Sequence, residues 1–527
     1  MECFELARKW RDTCQEEHGN SCLQEMRHSL PTRVIDVGPA DGSREPYLRI
    51  TNHEEGEWVA LSHCWGRNSQ FVTDSSNILN RQRSILMEDM PPTFLDAVIV
   101  TRKLGYRYLW IDSLCIIQKD HEDWAAESIR MRDYYKHSSI TISADSASGD
   151  ETGFLKQPRD IPESFEIMLK TDDEIGIRKP TQCPTFRYRD TCVSKRAWTL
   201  QEFILAPRSL LYTSSQLVWE CQSRKYCESD DNSQDSDENE LYYGTKRFFI
   251  TPSTKWGQPP ELQKYFEPSF RWYCLVNDYF FRDITYETDI LPAISGLARE
   301  IQLQTGHTYA AGIWIEEICK GLLWQAYGGG RMPEAYRAPS WSWASLKSSP
   351  EGCASRNYID FYLHLGFLRP EVEERRASLI SYELIPKDSD PFGCVSSGYI
   401  SIRGRTLLAS NWKGKAEPCF NSYEGSFISH YFTDSMSELM PKSLDQLVYY
   451  FDILEEEISF KNSLQNVTMF QISSWIWNED IVITMALLLV QVTDHPKKTY
   501  RRVGIAEVPN VDGLAEEGWD IQEVCII

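Results

Sequence analysis

Side chains that could take part in catalysis lie at the ends of two apolar runs, 58–62 and 106–111. A cysteine thiolate can act as a nucleophile when an imidazole activates it and a carboxylate orients the imidazole. His63, Asp112 and either Cys64 or Cys115 could form such a group if the strands that carry them are neighbours. Buried thiols can equally pack as small apolar groups. The first run ends in five consecutive candidates, Ser62, His63, Cys64, Trp65 and Gly66.

A third group of candidates lies in a short apolar segment that is predicted to be a helix and that Pro207 limits. Trp198 and Glu202 are four residues apart, so a helix brings them to one face, with Arg196 close by. Glu202 could act on a ligand, or it could form a structural ion pair with Arg196 or Arg208. The residues alone leave both roles open.

Alternating strands and helices must position these groups. Strands are predicted at 58–62, 106–111 and 139–143, with helices between them. Asp120 or Asp123 can cap the second of these helices. Two β-α-β steps of this kind give an α/β unit with a small parallel sheet, in which ligands bind beyond the carboxyl ends of the strands.

Four sequence blocks resemble, in order, those of the fungal heterokaryon incompatibility (HET) domain. The blocks are ALSHCWG at 60–66, LGYRYLWIDSLCIIQ at 104–118, DW at 123–124 and RAWTLQE at 196–202. The chain also resembles the segments that commonly follow this domain, at 289–296, 309–314, 338–343 and 500–504. The resemblance implies an intracellular effector of heterokaryon incompatibility, which is nonself-triggered programmed cell death in a fungus.

The HET domain is in turn similar to the TIR domain, which implies a TIR-like, flavodoxin-like fold for the α/β unit. Leu61 to Gly66 stands in place of the loop after the first TIR strand, and Trp198 to Glu202 resembles the TIR motif Trp-Cys-x-x-Glu, with Thr199 instead of the cysteine. Many TIR domains cleave NAD between nicotinamide and ribose. The resemblance therefore implies that NAD is a possible substrate and that Glu202 is the catalytic residue.

A single carboxylate suits that reaction, because it can stabilise the oxocarbenium-like sugar without a metal or a cofactor. Trp198 could stack on a ring, and Ser62 and Gly66 would allow the pyrophosphate to approach the backbone. No Cys-x-x-Cys pair occurs among the 15 cysteines, so no metal site is predicted. The substrate-binding candidates are Ser62, His63, Cys64, Trp65, Gly66, Asp112, Cys115, Arg196 and Trp198.

Composition divides the rest of the 527-residue chain. A boundary is predicted where seven acidic residues lie between 228 and 240. Beyond it, a helix is predicted from Gly312 to Trp324 and a buried strand over 481–492. The predicted parts are an N-terminal segment (1–30), a HET domain (31–226, with core 57–205 and insertion 145–193), an acidic linker (227–260), a helical segment (261–345) and a β-rich C-terminal region (346–527).

The charge excludes some classes of partner. With 77 acidic against 55 basic residues, the net charge of −22 disfavours nucleic acid and anionic membrane surfaces. No apolar run reaches the roughly 20 residues of a membrane span, and the acidic start does not resemble a signal peptide, so a cytoplasmic location is predicted. The predicted partners are a second copy, through the HET domain, and an unknown protein partner or trigger. Two other functions stay open: a non-catalytic HET interaction or signalling module, and a biosynthetic tailoring enzyme with a Cys/His site.

Overall fold

Two compact units, Met1–Lys255 and Trp256–Ile527, make up the chain, and each is described by itself. The computed structural model describes residues 2–19, 22, 27–66, 71–158, 164–168, 174–178, 191–228, 230–234, 246, 268–280, 282–327, 330–347, 358–361, 373–412, 415–418, 446–453, 466–478, 481–493, 498–509 and 518–527. It is a mixed α/β protein with several sheets. Among these residues no helix combines the length and the apolar character needed to cross a bilayer.

The N-terminal unit contains helices on the connections between its strands. The helices are α1 (Glu2–Glu17), α2 (Ile78–Arg81), α3 (Pro92–Lys103), α4 (Asp112–Cys115), α5 (His121–Lys136) and α6 (Trp198–Leu205). The strands are β1 (His28–Ser29), β2 (Arg33–Asp36), β3 (Tyr47–Ile50), β4 (Glu55–Gly56), β5 (Trp58–Ser62), β6 (Tyr108–Trp110), β7 (Ile140–Ser143), β8 (Ser164–Met168), β9 (Glu174–Arg178), β10 (Arg208–Tyr212), β11 (Leu217–Cys221), β12 (Lys225–Cys227) and β13 (Asp230–Gln234).

A parallel core stands in the middle of a nine-stranded sheet with the order β13-β12-β11-β10-β7-β5-β6-β2-β3. The strands β5, β6, β7 and β10 are mutually parallel where they pair, and the flanking strands are antiparallel. All residues of β5 and β7 are buried, as expected for strands covered on both faces. Numbered along the chain, the four parallel strands have the spatial order 2-1-3-4.

Local sequence signals explain several of these elements. Asp120 is the N-cap of α5, since its side chain accepts hydrogen bonds from the backbone N–H groups of Glu122 and Asp123. The sequence predicts that Trp124, Ser128, Met131 and Tyr135 form an inward stripe of this helix; Met131 and Tyr135 are buried, whereas Trp124 and Ser128 are only half-buried. The three strands predicted at 58–62, 106–111 and 139–143 correspond to β5, β6 and β7.

The C-terminal unit joins two longer helices to a β-rich part. Its helices are α7 (Pro268–Phe280), α8 (Pro292–Thr305) and α9 (Ile318–Gly321). Its strands are β14 (Tyr309–Ala310), β15 (Ile313–Trp314), β16 (Trp324–Tyr327), β17 (Tyr358–Phe361), β18 (Glu373–Arg375), β19 (Ala377–Pro386), β20 (Val395–Leu408), β21 (Lys415–Pro418), β22 (Gln446–Phe451), β23 (Val467–Asn478), β24 (Ile481–Val492), β25 (Thr499–Pro509) and β26 (Asp520–Ile526).

The pairings of the C-terminal sheet close on themselves. β20 pairs with β23, then β23 with β24, β24 with β25, β25 with β26, and β26 again with β20. An apolar cluster that includes Val467, Met469, Leu488 and Val503 packs there. The apolar run 481–492 is β24, which confirms the predicted strand.

Two predictions from the sequence are wrong in detail. No helix spans Gly312 to Trp324, which instead contains β15, a 3-10 turn, the short α9 and the start of β16, so the predicted helical segment is helical mainly in its first half. Asp230–Gln234, which falls in the predicted acidic linker, is an edge strand paired with β12. The remainder of that linker, apart from 227, 228 and 246, lies outside the described residues, as does most of 159–190 in the predicted insertion.

Candidate active site

The carboxyl ends of β5, β6 and β7 bring the main sequence candidates to one edge of the sheet. Ser62 ends β5 opposite Ser143 of β7, and Asp112 follows β6 as the first residue of α4. Because parallel neighbours end at the same edge, His63 and Asp112 come close although 49 positions separate them (112 − 63).

His63 lies between two carboxylates. Its Nε2 is 3.1 Å from Oδ1 of Asp150, and its Nδ1 is 3.8 Å from Oδ1 of Asp112. The ring is 1 % exposed and meets the edge of Phe94 at a centroid distance of 5.2 Å. An acid on each side holds the buried imidazole in a fixed orientation.

Asp112 is held by the loop residues that surround it. One of its oxygens accepts a hydrogen bond from the indole Nε1 of Trp65 at 2.9 Å, and the other accepts one from the backbone N–H of Ser113 at 2.7 Å. Trp65 is half-buried, so its ring lies at the rim of the site. These contacts fix the carboxylate toward His63.

Glu202, on α6, is buried at the same edge, with 2 % of its surface exposed. Burial raises the pKa of Glu202 above its usual 4.5; nearby Arg196 opposes this shift and Asp112 adds to it. The side chain of Ser62 hydrogen-bonds the carboxylate. The charge of Arg196 thus stabilises ionised Glu202, as the structural ion-pair alternative expects. Asp112 acts in the opposite sense at the same site.

Tyr135 of α5 completes the surroundings of Glu202. Its hydroxyl donates a hydrogen bond to the carbonyl oxygen of Leu61 at 3.1 Å and also hydrogen-bonds Glu202. Since the phenol has one proton and the Leu61 oxygen can only accept, a protonated Glu202 can donate to the phenol oxygen. Burial, followed by the charge of Glu202, raises the pKa of Tyr135 well above 10.

Arg196 links α6 to the loop after β5, because its guanidinium donates a short hydrogen bond to the carbonyl oxygen of His63. Trp198, two residues later, is half-buried. We refer to five residues at this edge as the edge cluster: His63, Asp112, Asp150, Arg196 and Glu202.

The loops that carry His63 and Asp150 of the edge cluster touch through glycines. Gly66 has a φ of +78°, which favours glycine, and its Cα would lie 2.9 Å from a Cβ added to Gly149. The loops after β5 and β7 can approach this closely only because neither residue has a side chain. The sequence predicts that Gly66 lets a pyrophosphate approach the backbone; the structure shows that another loop approaches this glycine closely.

The two candidate thiols are buried apart from water. Burial raises the pKa of both Cys64 and Cys115 to about 12. Cys64 is close to the charge of Arg196, whereas Cys115 ends α4 and its carbonyl oxygen accepts a hydrogen bond from Arg33. Both thiols are therefore protonated at neutral pH, which disfavours a thiolate nucleophile.

The structure thus gathers Ser62, His63, Asp112, Arg196 and Glu202, with Trp65, Gly66 and Trp198 less buried around them. Sequence reasoning misses Tyr135 and Asp150. The sequence predicts only that Tyr135 packs on the inner face of its helix, and Asp150 falls within the predicted insertion. The position of Asp150, shortly after the third parallel strand, is the signal that could have found it.

Comparison with known proteins agrees with the sequence blocks. The family model described as heterokaryon incompatibility protein (HET) matches residues 58–202. That range runs from the start of β5 to Glu202 and so contains the whole edge cluster. A comparison with curated proteins and one with solved structures each gave no match. The chain is therefore a protein with a heterokaryon incompatibility (HET) domain, which lies at residues 58–202.

Proposed function

We propose that this protein is an effector of nonself-triggered cell death, and that its HET domain acts in a TIR-like manner by hydrolysing NAD with Glu202 as the catalytic carboxylate. The observation that carries the proposal is the position of Glu202 beside Ser62, at the carboxyl edge of parallel strands in the order 2-1-3-4. This order matches the first four strands of the flavodoxin-like order 2-1-3-4-5, and such folds bind ligands where the strand order reverses, which corresponds here to the β5 and β7 pair.

The reaction breaks the bond between C1′ of the ribose and the nicotinamide nitrogen. The bonding electrons leave with nicotinamide and neutralise its ring, and the sugar becomes oxocarbenium-like. Ionised Glu202 stabilises that cation and hydrogen-bonds the ribose hydroxyls. Water then adds to C1′ and loses a proton, which Glu202 can accept because burial raises its pKa.

Neighbouring residues supply binding and orientation. Arg196 gives the positive charge that a pyrophosphate needs, and the half-buried rings of Trp65 and Trp198 can stack on a base or on nicotinamide. His63, fixed between Asp112 and Asp150, holds the loop that starts the site.

The site must open before a dinucleotide can reach Glu202. Glu202 is 2 % exposed, and Gly66 and Gly149 bring the loops after β5 and β7 into contact. We propose that self-association of the HET domain separates these loops, so that activity rises with protein concentration. A closed resting state is suited to an effector that acts only after a trigger.

The proposal is tested with the full-length protein and NAD, by following nicotinamide release at increasing protein concentration and after fusion to an oligomerising tag. Glu202→Gln is expected to reduce release at least about 100-fold, as loss of one preorganised electrostatic group does elsewhere. No release under any condition, or equal release by the variant, contradicts the proposal.

Glu127→Gln is the matched control. Glu127 is another buried glutamate of the N-terminal unit, 1 % exposed, and it also binds a tyrosine, since Tyr134 donates to its Oε2 at 2.7 Å. It lies outside the edge cluster, so its variant should keep at least half of the wild-type release. If both variants lose activity equally, the loss reports on folding and not on Glu202.

The burial of Glu202 favours a second candidate, in which the HET domain is a non-catalytic interaction or signalling module. In that case Glu202→Gln leaves toxicity in a fungal host unchanged, while charge reversals on the exposed surface abolish it. The protonated state of Cys64 and Cys115 gives the tailoring-enzyme alternative no comparable support.

A further inference from the structure

Three cysteines and one histidine meet outside the HET-family match. Cys14 lies in the last turn of α1, His18 and Cys22 follow at intervals of four residues, and Cys221 ends β11. Their ligand atoms, three Sγ and one imidazole nitrogen, all lie within 4.8 Å of one another. The three cysteines are buried and the histidine is half-buried. We call these four residues the thiol–imidazole cluster.

The distances in this cluster suit a tetrahedral zinc ion. Nδ1 of His18 is 3.4 Å from Sγ of Cys22 and 3.4 Å from Sγ of Cys221. With Zn–S of about 2.3 Å and Zn–N of about 2.0–2.1 Å, a tetrahedral site places sulfur and nitrogen about 3.5 Å apart. Cys₃His is a common ligand set of structural zinc, and thiolate and imidazole ligands favour zinc over magnesium or calcium.

The groups around the cluster are those that a zinc site requires. Nε2 of His18 is 3.2 Å from the hydroxyl of Tyr226, so the ring nitrogen that faces away from the sulfurs has a hydrogen-bond partner. The backbone N–H of Arg224 donates to Sγ of Cys221 at 3.3 Å, and the hydroxyl of Ser223 is 3.2 Å from Sγ of Cys22. Such contacts stabilise thiolates.

A buried cation stands next to the sulfurs as well. Nε of Arg208 donates to Sγ of Cys14 at 3.4 Å, and Arg208 is 2 % exposed. Zn²⁺ with three thiolates and a neutral imidazole has a net charge of −1, which one guanidinium balances. Arg208 therefore compensates the charge that the occupied site would have.

From this geometry we infer that Cys14, His18, Cys22 and Cys221 bind one structural zinc ion. Four protein ligands fill a tetrahedral sphere and leave no position for substrate, so the ion holds structure and does not catalyse. It ties the end of α1 to the end of β11, two parts that lie before and after residues 58–202. The sequence predicted no metal site because the ligands do not form a Cys-x-x-Cys pair and the fourth is about 200 residues away (221 − 22 = 199).

Metal analysis of the full-length protein, purified without chelator, tests the inference. Wild type is expected to hold about one zinc per chain, and Cys22→Ser and Cys221→Ser are expected to hold almost none. Cys3→Ser is the matched control, because Cys3 is on the same helix α1 but outside the cluster. His18→Cys keeps a four-ligand set and should retain zinc, whereas His18→Ala should lose it.

Cobalt substitution of the wild-type chain avoids variants that fail to fold. Removal of zinc and addition of Co²⁺ should give thiolate-to-cobalt charge-transfer absorption and the d–d bands of a tetrahedral centre. Tyr226→Phe should weaken zinc binding by about 10–100-fold, as loss of an outer-shell contact does. Zinc-free protein after expression with added zinc, a disulfide among the three cysteines, or zinc that persists in Cys221→Ser would overturn the assignment.

Discussion

Two buried charged clusters, one in each unit, differ in how their charges are balanced. Among the described residues of the C-terminal unit, Arg502 meets one acid, Asp452, at 3.0 Å and 3.2 Å, and it donates to the carbonyl oxygen of Leu322 at 2.6 Å and to that of Trp324. Its guanidinium also lies 3.4 Å from the centroid of the Trp324 ring. The edge cluster of the HET domain has three acids, one arginine and one histidine.

The difference matches the structural role of Arg502 and the functional role that we propose for the edge cluster. A buried arginine that is matched by one acid and several carbonyl oxygens has no need of a ligand, and it joins segments far apart in the chain. An excess of buried acids is unfavourable until a proton or a cationic group compensates it. Burial, with a smaller contribution from Asp112, raises the pKa of Glu202, and the positive sugar of the proposed NAD cleavage would favour its ionised form.

The largest expected effect is in the balanced cluster. Arg502→Met should destabilise the C-terminal unit by about 3–5 kcal/mol, because it leaves Asp452 buried and unpaired. Thermal and urea unfolding, followed by tryptophan fluorescence, measures this loss. The exposed Arg403, on β20 of the same unit, supplies the control Arg403→Met, which should change stability by less than about 0.5 kcal/mol.

A second variant shows whether charge or packing is responsible. Arg502→Met combined with Asp452→Leu should recover part of the lost stability, since removing both ions leaves no unpaired charge. If the double variant is no better than Arg502→Met alone, the guanidinium acts mainly through its contact with Trp324 and the interpretation of Arg502 as an ion-pair centre is wrong.

In the edge cluster, loss of the ionisable group should not destabilise the protein: Glu202→Gln is expected to be neutral or stabilising, unlike Arg502→Met. Between 4.5 and the raised pKa of Glu202, the unfolded chain has released a proton that the folded chain still holds, so stability falls as pH rises through this window. Glu202→Gln removes this dependence and should be at least as stable as wild type above the window. This pH dependence is measured by unfolding at several pH values, with wild type, Glu202→Gln and the control Glu127→Gln. If wild type gains stability over Glu202→Gln as pH rises, the pKa of Glu202 is not raised in the folded protein.

The sequence is most informative where one physical property determines the structure. Continuous apolar runs identify β5 and β24, because a strand buried on both faces needs them. The parallel β-α-β pattern by itself places Ser62, His63 and Asp112 at one edge of the sheet. The spacing from Trp198 places Glu202 on its helix, but the burial of Glu202 depends on Tyr135 and on packing that no local pattern encodes.

Long-range contacts explain what the sequence does not show. The segment from Gly312 to Trp324 has enough apolar residues for a helix, yet Gly312 has a φ of +96° and a Cβ there would lie 2.4 Å from the Trp343 indole. The indoles of Trp272 and Trp343 both donate to the Gly312 carbonyl oxygen, so three distant segments fix a turn. The thiol–imidazole cluster escapes sequence reasoning for the same reason, because Cys221 is distant in sequence.

The smallest expected effect concerns Asp36, a buried acid whose charge is compensated by exposed arginines. Asp36 is fully buried at the end of β2; burial raises its pKa, but hydrogen bonds from Arg107, the Gly38 N–H and Tyr47 outweigh burial and hold the pKa below 3.8. Arg107→Ala should cost no more than about 1 kcal/mol, because Arg107 is 57 % exposed and Arg44 remains 3.1 Å from the carboxylate.

The pH dependence of this last variant distinguishes Asp36 from Glu202. A carboxylate with a lowered pKa contributes stability above 3.8 that is lost as pH falls through the folded-state pKa, so the difference between wild type and Arg107→Ala should shrink in acid. Urea unfolding at neutral and acidic pH measures both. A difference that grows in acid would mean that Arg107 does not act by stabilising the ionised form of Asp36, and the contrast between balanced and unbalanced acids would then fail.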